Sequence, residues 1–368
     1  MHNGTSPSSR VVELDALRGI AALAVVAYHY TTRYAEEIGH VGGPLSSLLA
    51  GKYGVHLFFL ISGFVIFMTL ERSRSAMDFV VSRFSRLFPG YWVALTITAI
   101  VVYSIGLPQQ ALPLPDLLLN ITMVQDILGA EHLDGSYWTL QVELFFYVQM
   151  LFWFMVGQLK RIHWIIAGWL FLAVFNGVVT QRGGHFPYLI RELLILRHIP
   201  FFALGILFFR LRAYPQERRL NLAMIGLCLL AIAVAEQPLF LLVATVCCSI
   251  FTLLVLGCLR FLNMRLFVFL GGISYSLYLI HQAIGFSVIY RLESAGVSSL
   301  VACLLAAGMS MGLAVLLSYG VEKPAMRWIR TGWQRRSLWR TPDWRGQNPE
   351  SRSPAGHAAC NAGHRFDR

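Results

Sequence analysis

Residues 13–30 read ELDALRGIAALAVVAYHY. The stretch opens as an apolar membrane span, yet it holds Arg18 and His29. Eleven positions separate the two. At about 100° per residue that is close to three full turns, so they share one helix stripe to within about 20°. With a rise of about 1.5 Å per residue they stand roughly 16 Å apart along the axis, about half of a ~30 Å hydrocarbon layer. Arg18 therefore belongs near one membrane face and His29 well inside. A central Arg costs roughly 2.5–3.5 kcal/mol on insertion scales, and ionisable groups in spans mark functional sites by default. The plainer reading is a snorkelling Arg at a helix end and a hydrogen-bonded core His.

The rest of the chain agrees with a membrane setting. Of its 368 residues 56% are hydrophobic and 13% charged, which describes a polytopic membrane protein and not a soluble domain. The net charge is +11. In a soluble chain that excess would suggest nucleic acid. Here the Lys and Arg fall in alternate loops, so orientation and anionic headgroups account for them, and no nucleic-acid partner is expected. Cys228, Cys247, Cys248, Cys258 and Cys303 lie in apolar stretches and Cys360 in a polar tail. No pair is spaced like a zinc site, so neither a disulfide framework nor a metal is expected. The N-terminus lacks a signal peptide of the usual form.

Length and hydropathy predict an all-α integral membrane protein of about ten spans. They fall near 14–33, 51–70, 88–106, 138–156, 162–180, 190–209, 219–235, 238–258, 266–290 and 298–320. The segment 71–87 carries Arg72, Arg74, Arg83 and Arg86. Lys160 and Arg161, then Arg210, Arg212 and Arg218, then Arg260 and Arg265 follow on the same side. The opposite loop 107–137 holds Asp116, Asp126, Glu131 and Asp134 and no Lys or Arg. The positive-inside rule then puts both termini in the cytoplasm, as an even span number requires. The chain divides into a short N-terminus 1–13, a membrane domain 14–324 and a basic, disordered tail 325–368. Residues 117–128 predict an interfacial or re-entrant helix on the outer side. Asn120-Ile-Thr122 is a short glycosylation sequon. No internal repeat is visible.

Four constellations carry chemistry. Arg18 and His29 are the first. In RFSRLFPGYW (83–92), Arg83 and Arg86 are i,i+3 neighbours at the cytoplasmic mouth of a span. Paired guanidinium forks suit a phosphate-bearing ligand, although anchoring at the membrane face also predicts Arg there. In GSYWTLQVELFFY (135–147), Glu143 lies inside a span and needs a partner or a proton, while Tyr137 and Trp138 fit an aromatic belt. In GGISYSLYLIHQ (271–282), Ser274, Tyr278 and His281 share one face. That stripe reads equally as site or as interhelical glue. His29, His281 and Glu143 reach comparable depths, and Arg18, Arg83 and Arg86 line up at the inner end. An anionic carrier could dock at the basic mouth and react at the deeper cluster, where a His poised by a carboxylate is a natural base.

These residues resemble the acyltransferase 3 family, membrane O-acyltransferases that modify polysaccharides, lipid-linked sugars and some antibiotics. The resemblance runs from about Glu13 to Pro324 through ELDALRGIAALAVVAYHY, HLFFLISGFVI (56–66), RFSRLFPGYW, WTLQVELFFY (138–147), SYSLYLIH (274–281) and VEKP (321–324). It implies an acyl-CoA co-substrate, acetyl-CoA foremost, bound from the cytoplasm, with no permanently bound cofactor. It implies a ten-helix core in the bacterial inner membrane and a glycan or lipid-linked sugar as acceptor. The family's Arg-to-His pair falls on Arg18 and His29, and its Arg-x-x-Arg on Arg83 and Arg86. Its Trp-Ser-Leu-x-x-Glu falls on Trp138 to Glu143, with Thr139 in place of Ser. On this reading Arg18, Arg83 and Arg86 bind the donor, and His29 and Glu143 are catalytic. Asp15, Tyr137, Trp138, Ser274, Tyr278, His281 and Glu322 are supporting candidates. No fused extracytoplasmic hydrolase follows, so transfer would be completed by this chain or a separate partner. The rival reading is a proton-coupled transporter or flippase, since buried Arg, His and Glu also build proton paths. N-acetylation of an amino sugar is a second enzyme reading.

Overall fold

The computed structural model describes residues 11–43 and 45–338. Among them every regular element is helical. The first helix, α1 (Val12–Tyr28), passes through a π-helical turn at His29–Arg33 into α2 (Tyr34–Glu37). Then come α3 (Gly54–Arg72) and α4 (Ala76–Ile105). The stretch before the next long helix holds only α5 (Leu114–Leu119) and short 3-10 turns. It leads into α6 (Trp138–Met155) and α7 (Ile162–Gln181). The short α8 (Tyr188–Leu193) precedes α9 (Ile199–Ala213), α10 (Arg218–Ala235) and α11 (Pro238–Val255). Last are α12 (Arg265–Ser294), α13 (Ser299–Leu317), a second π turn (Ser318–Glu322) and α14 (Lys323–Leu338). The described residues up to Arg330 form one compact unit, and 331–338, which are helical, belong to a second.

Seven of these helices are long and apolar enough to cross a membrane. The other three expected spans have helices too, but shorter or more polar ones. α1 has 17 residues and carries Glu13, Asp15 and Arg18 in its first turns. α9 has 15 residues, and α6 holds Gln141, Glu143 and Gln149 among its 18. Two of these polar groups, Arg18 and Glu143, line the site described below.

α12 is the core of the bundle and packs against α1, α13 and α4, while α3 packs along α9. Both closest crossings are made at glycine. A Cβ on Gly271 would collide with the Asp15 backbone, and one on Gly19 would stand 2.7 Å from the Gly271 nitrogen. A Cβ on Gly205 would collide with the Leu60 carbonyl, and one on Gly63 with the Phe202 carbonyl. Without side chains at these points, helix backbones approach as small-residue membrane interfaces do.

Four expectations change. Residues 117–128 are not one helix: α5 ends at Leu119, and 3-10 turns follow at Asn120–Thr122 and Asp126–Leu128. The sequon is closed to a glycan. Asn120 is buried, its amide donates to the carbonyls of Asp116 and Glu131 at 2.8 Å, and its Oδ1 accepts from Leu133 N at 3.0 Å. Tyr137 is no belt residue, since it is fully buried and its hydroxyl donates to the Leu279 carbonyl of α12 at 3.1 Å. Trp138 is 37% exposed. Residues 325–338, expected as the start of a disordered tail, are helical; the N-terminal 1–10 and the tail 339–368 lie outside the described residues.

Candidate active site

A cavity of about 90 Å³ opens where α1, α3, α4, α6 and α12 meet. Arg18, Arg83 and Arg86 all line it, with Glu143, Ser274 and Tyr278. Glu143 accepts from the Ser62 hydroxyl of α3, and from the Tyr147 hydroxyl, one turn on along α6, at 2.6 Å. Arg86 is ion-paired with Glu322, which the π turn after α13 delivers and which also accepts from Ser276 Oγ at 2.8 Å. The Arg86 guanidinium also lies 5.1 Å from the Tyr275 ring centre. Arg83 stacks over the Tyr147 and Phe79 rings at 5.9 and 6.0 Å and donates to Ser82 Oγ at 2.9 Å. Its Nε is buried without a hydrogen-bond partner among the described residues. Neither Arg18 nor Arg83 forms an ion pair among those residues. Three guanidiniums thus face one cavity carboxylate, with Glu322 occupied behind Arg86. The surplus of positive charge, with donors pointing inward, suits an anion, and phosphate in particular.

A second layer holds the imidazoles. His29 lies on the first π turn and His281 on α12, with ring centres 4.9 Å apart. His281 Nδ1 faces the Tyr278 carbonyl at 2.9 Å. A carbonyl can only accept, so that nitrogen carries the proton and Nε2 is an acceptor in the neutral ring. His29 Nδ1 faces the Val25 carbonyl at 2.9 Å and His281 Nε2 at 3.3 Å, both acceptors, so it too carries the proton. The lone pair of His29 is therefore at Nε2, which has no partner among the described residues. Tyr278 joins the two layers. It lines the cavity, its hydroxyl accepts from Thr139 Oγ1 at 2.9 Å, and its ring lies 5.4 Å from that of His281. The hydroxyl that Thr139 keeps in place of Ser is thus part of this connection.

The surrounding backbone is held by side chains. The Tyr30 hydroxyl donates to the His281 carbonyl at 2.7 Å. Asp134 accepts from Ser136 N and Oγ at 2.8 and 2.5 Å and from Ala283 N at 2.8 Å. Burial pushes the Asp134 carboxyl above its ordinary range, and these donors pull it back.

The structure thus gathers Arg18, Arg83, Arg86, Glu143, Ser274 and Tyr278 around one cavity and sets His29 against His281. It does not set Glu143 against His29: the carboxylate stands with the arginines. Asp15 lies at the α1–α12 crossing, Trp138 packs 5.3 Å from the His198 ring, and Glu322 backs Arg86. Sequence reasoning passed over Ser62, Tyr147, Tyr275 and Asp134. Tyr147 was within reach, because it is i+4 from Glu143 on the same helix face. Ser62 and Asp134 act across the bundle, and local spacing carries no sign of that.

Apolar helices among the described residues, with an arginine-lined cavity beside paired imidazoles, define a class: a helical membrane protein with a polar, charged site inside its bundle. The chain belongs to the acyltransferase 3 family, whose acyltransferase domain matches residues 11–319. It is 29% identical over 174 residues to the acyltransferase MdmB of Streptomyces mycarofaciens, covering 43% of this chain and 44% of that one. It is 31% identical over 183 residues to nodulation protein 10 of Rhizobium leguminosarum bv. viciae, covering 44% and 47%. It is 32% identical over 101 residues to the peptidoglycan O-acetyltransferase OatA of Listeria monocytogenes, covering 26% and 14%. The matches span about half, or less, of those relatives' lengths. No solved structure matches.

Proposed function

We propose that this membrane acyltransferase takes an acyl group, acetyl foremost, from acyl-CoA at the cytoplasmic face and passes it to a hydroxyl of a glycan or lipid-linked sugar. The observation that carries this reading is the three-arginine cavity, joined through Tyr278 to the His281–His29 pair. Arg18 and Arg83, which make no ion pair among the described residues, take the CoA phosphates, and Arg86 adds its remaining donors. Ten helices span the bacterial inner membrane with both termini inside, which sets the arginine end of α1 and α4 toward the cytoplasm. The names of the relatives support acyl and acetyl transfer, and OatA's name supports a glycan acceptor for that protein.

The reaction follows from the tautomers. His29 Nε2 removes the acceptor hydroxyl proton as the oxygen attacks the thioester carbonyl carbon. The C–O bond forms, the C–S bond breaks, and the leaving sulfur takes the proton back from His29. His281 Nε2 accepts from His29 Nδ1–H and so stabilises the imidazolium that forms in between. Glu143, held by Ser62 and Tyr147, balances the arginines and fixes the cavity wall. The test is direct. Purified protein in lipid, given acetyl-CoA and membranes bearing surface glycans, releases free thiol in step with glycan acylation. Acylation absent with thiol release absent would overturn the reading.

A further inference from the structure

A second pair of histidines lies outside this machinery. His56, on α3, is 7% exposed, and neither of its ring nitrogens has a hydrogen-bond partner among the described residues. The Tyr53 backbone lies nearby without meeting hydrogen-bond geometry. Its ring centre is 6.4 Å from that of His198, the residue that opens α9, whose Nδ1 is also buried and unpartnered. Aromatic rings enclose the pair. Tyr53 and Phe240 stand 5.7 and 5.4 Å from His56, and Phe59 and Trp138 stand 5.2 and 5.3 Å from His198. Trp138, at 37% exposure, opens this nest outward.

Its position relates it to the site. Phe59 is both a wall of the donor cavity and a neighbour of His198. α1 and α3 run antiparallel, and a Cβ on Gly51 would stand 2.9 Å from Tyr28 Cβ. His56 follows Gly51 by five positions, about 7.5 Å of helix axis, so it lies within about two turns of the level of His29. Buried polar atoms in native structures normally have partners, and those without one call for a ligand, ion or water. A neutral imidazole offers one donor and one acceptor, which is what a sugar hydroxyl also offers. Ring faces beside those nitrogens suit the C–H faces of a pyranose, and apolar walls with few convergent polar groups are the usual form of a ligand site.

We propose that His56 and His198, flanked by Trp138 and Phe59, form the subsite that holds the sugar ring of the acceptor. This rests on the acyl-transfer reading above. Phe59 lines the arginine cavity on one side and meets His198 on the other, so a sugar held here would be separated from the donor by that ring.

Two substitutions in the full chain test it. His56→Phe keeps a ring and removes both nitrogens; His56→Asn keeps hydrogen-bonding groups and loses the ring. Each variant is purified in lipid for melting temperature and acetyl-CoA binding. Each is also expressed in cells whose glycolipids and surface glycans are weighed for acyl groups by mass spectrometry. The subsite predicts that His56→Phe melts no lower than wild type and binds acetyl-CoA unchanged, yet cuts glycan acylation at least about tenfold. His56→Asn should recover part of it, and His198→Phe should follow His56→Phe. A His56→Phe protein that acylates normally makes the pair core packing and overturns the proposal. So does one that melts lower, because the nitrogens then serve the protein itself, and so does a stoichiometric transition metal in wild type that the variant lacks. A wild type that binds acetyl-CoA but acylates nothing would instead sink the reading on which this rests.

Discussion

Arg83 and Arg86 show how one motif divides its labour. They are i,i+3 on α4, and both face the cavity, as their spacing predicts. Among the described residues Arg86 is ion-paired, with Glu322, which is 1% exposed, whereas Arg83 has no carboxylate partner. Removing Arg86 would strand a buried carboxylate, a change that typically costs about 3–5 kcal/mol. Arg83 is the cleaner probe. Arg83→Ala should raise KM for acetyl-CoA roughly ten- to a hundredfold, as expected for a lost charged hydrogen bond or two, with the protein's yield unchanged. Arg83→Lys should recover only part, because a point charge cannot form a fork. Titration of thiol release against acetyl-CoA gives both values, and an unchanged KM in Arg83→Ala would return the residue to membrane anchoring. Much of this was legible in the sequence: charges in apolar spans stand out, and Arg18, Arg83, Arg86 and Glu143 do converge. The pairing was not legible. Depth along the membrane suggested Glu143 for His29, but depth leaves rotation about the helix axis open, and α6 turns Glu143 toward Ser62 of α3. His56 and His198 carried the same signal as His29 and His281, a His in an apolar helix.

At the scale of elements, the helices hold their positions through glycine contacts. Gly63 and Gly205 let α3 and α9 meet backbone to backbone, and that crossing carries Ser62 beside the cavity. Gly63→Val should push the helices apart and lower both yield and melting temperature, with transfer lost in what remains. Gly226, in α10, has open space where a Cβ would go, so Gly226→Ala should be neutral or stabilising by up to about 1 kcal/mol. Thermal melts of the two in lipid decide the matter, and equal melting temperatures would refute the packing argument. Most long helices were read at the right places because length and hydropathy are local properties, but α4 begins at Ala76 and not near 88, with Pro89 inside it, and the span expected at 190–209 is divided into α8 and α9. Residues 107–137 were not, because their turns are fixed by buried Asn120, by Asp134 and by bonds to α12, which link distant parts of the chain.

For the whole molecule, orientation decides which side supplies the donor. The loop 107–137 holds four acids and no Lys or Arg, and the proposed orientation sets it opposite the arginine-rich segment 71–87. In a background without the native cysteines, Gly129→Cys should label from outside intact cells with an impermeant reagent, and Ser75→Cys should not. The reverse pattern would exchange the donor and acceptor sides. The central claim is that His29 Nε2 is the base and that donor binding is a separate matter, about 16 Å away along α1 at Arg18. It is tested most directly by measuring acyl transfer, acetyl-CoA binding and yield on one preparation of His29→Ala. The account predicts normal yield, normal acetyl-CoA binding and a loss of transfer of at least about a hundredfold, the lower end of what a positioned base contributes. A well-folded His29→Ala protein that still transfers acyl groups at more than about a tenth of the wild-type rate would contradict it.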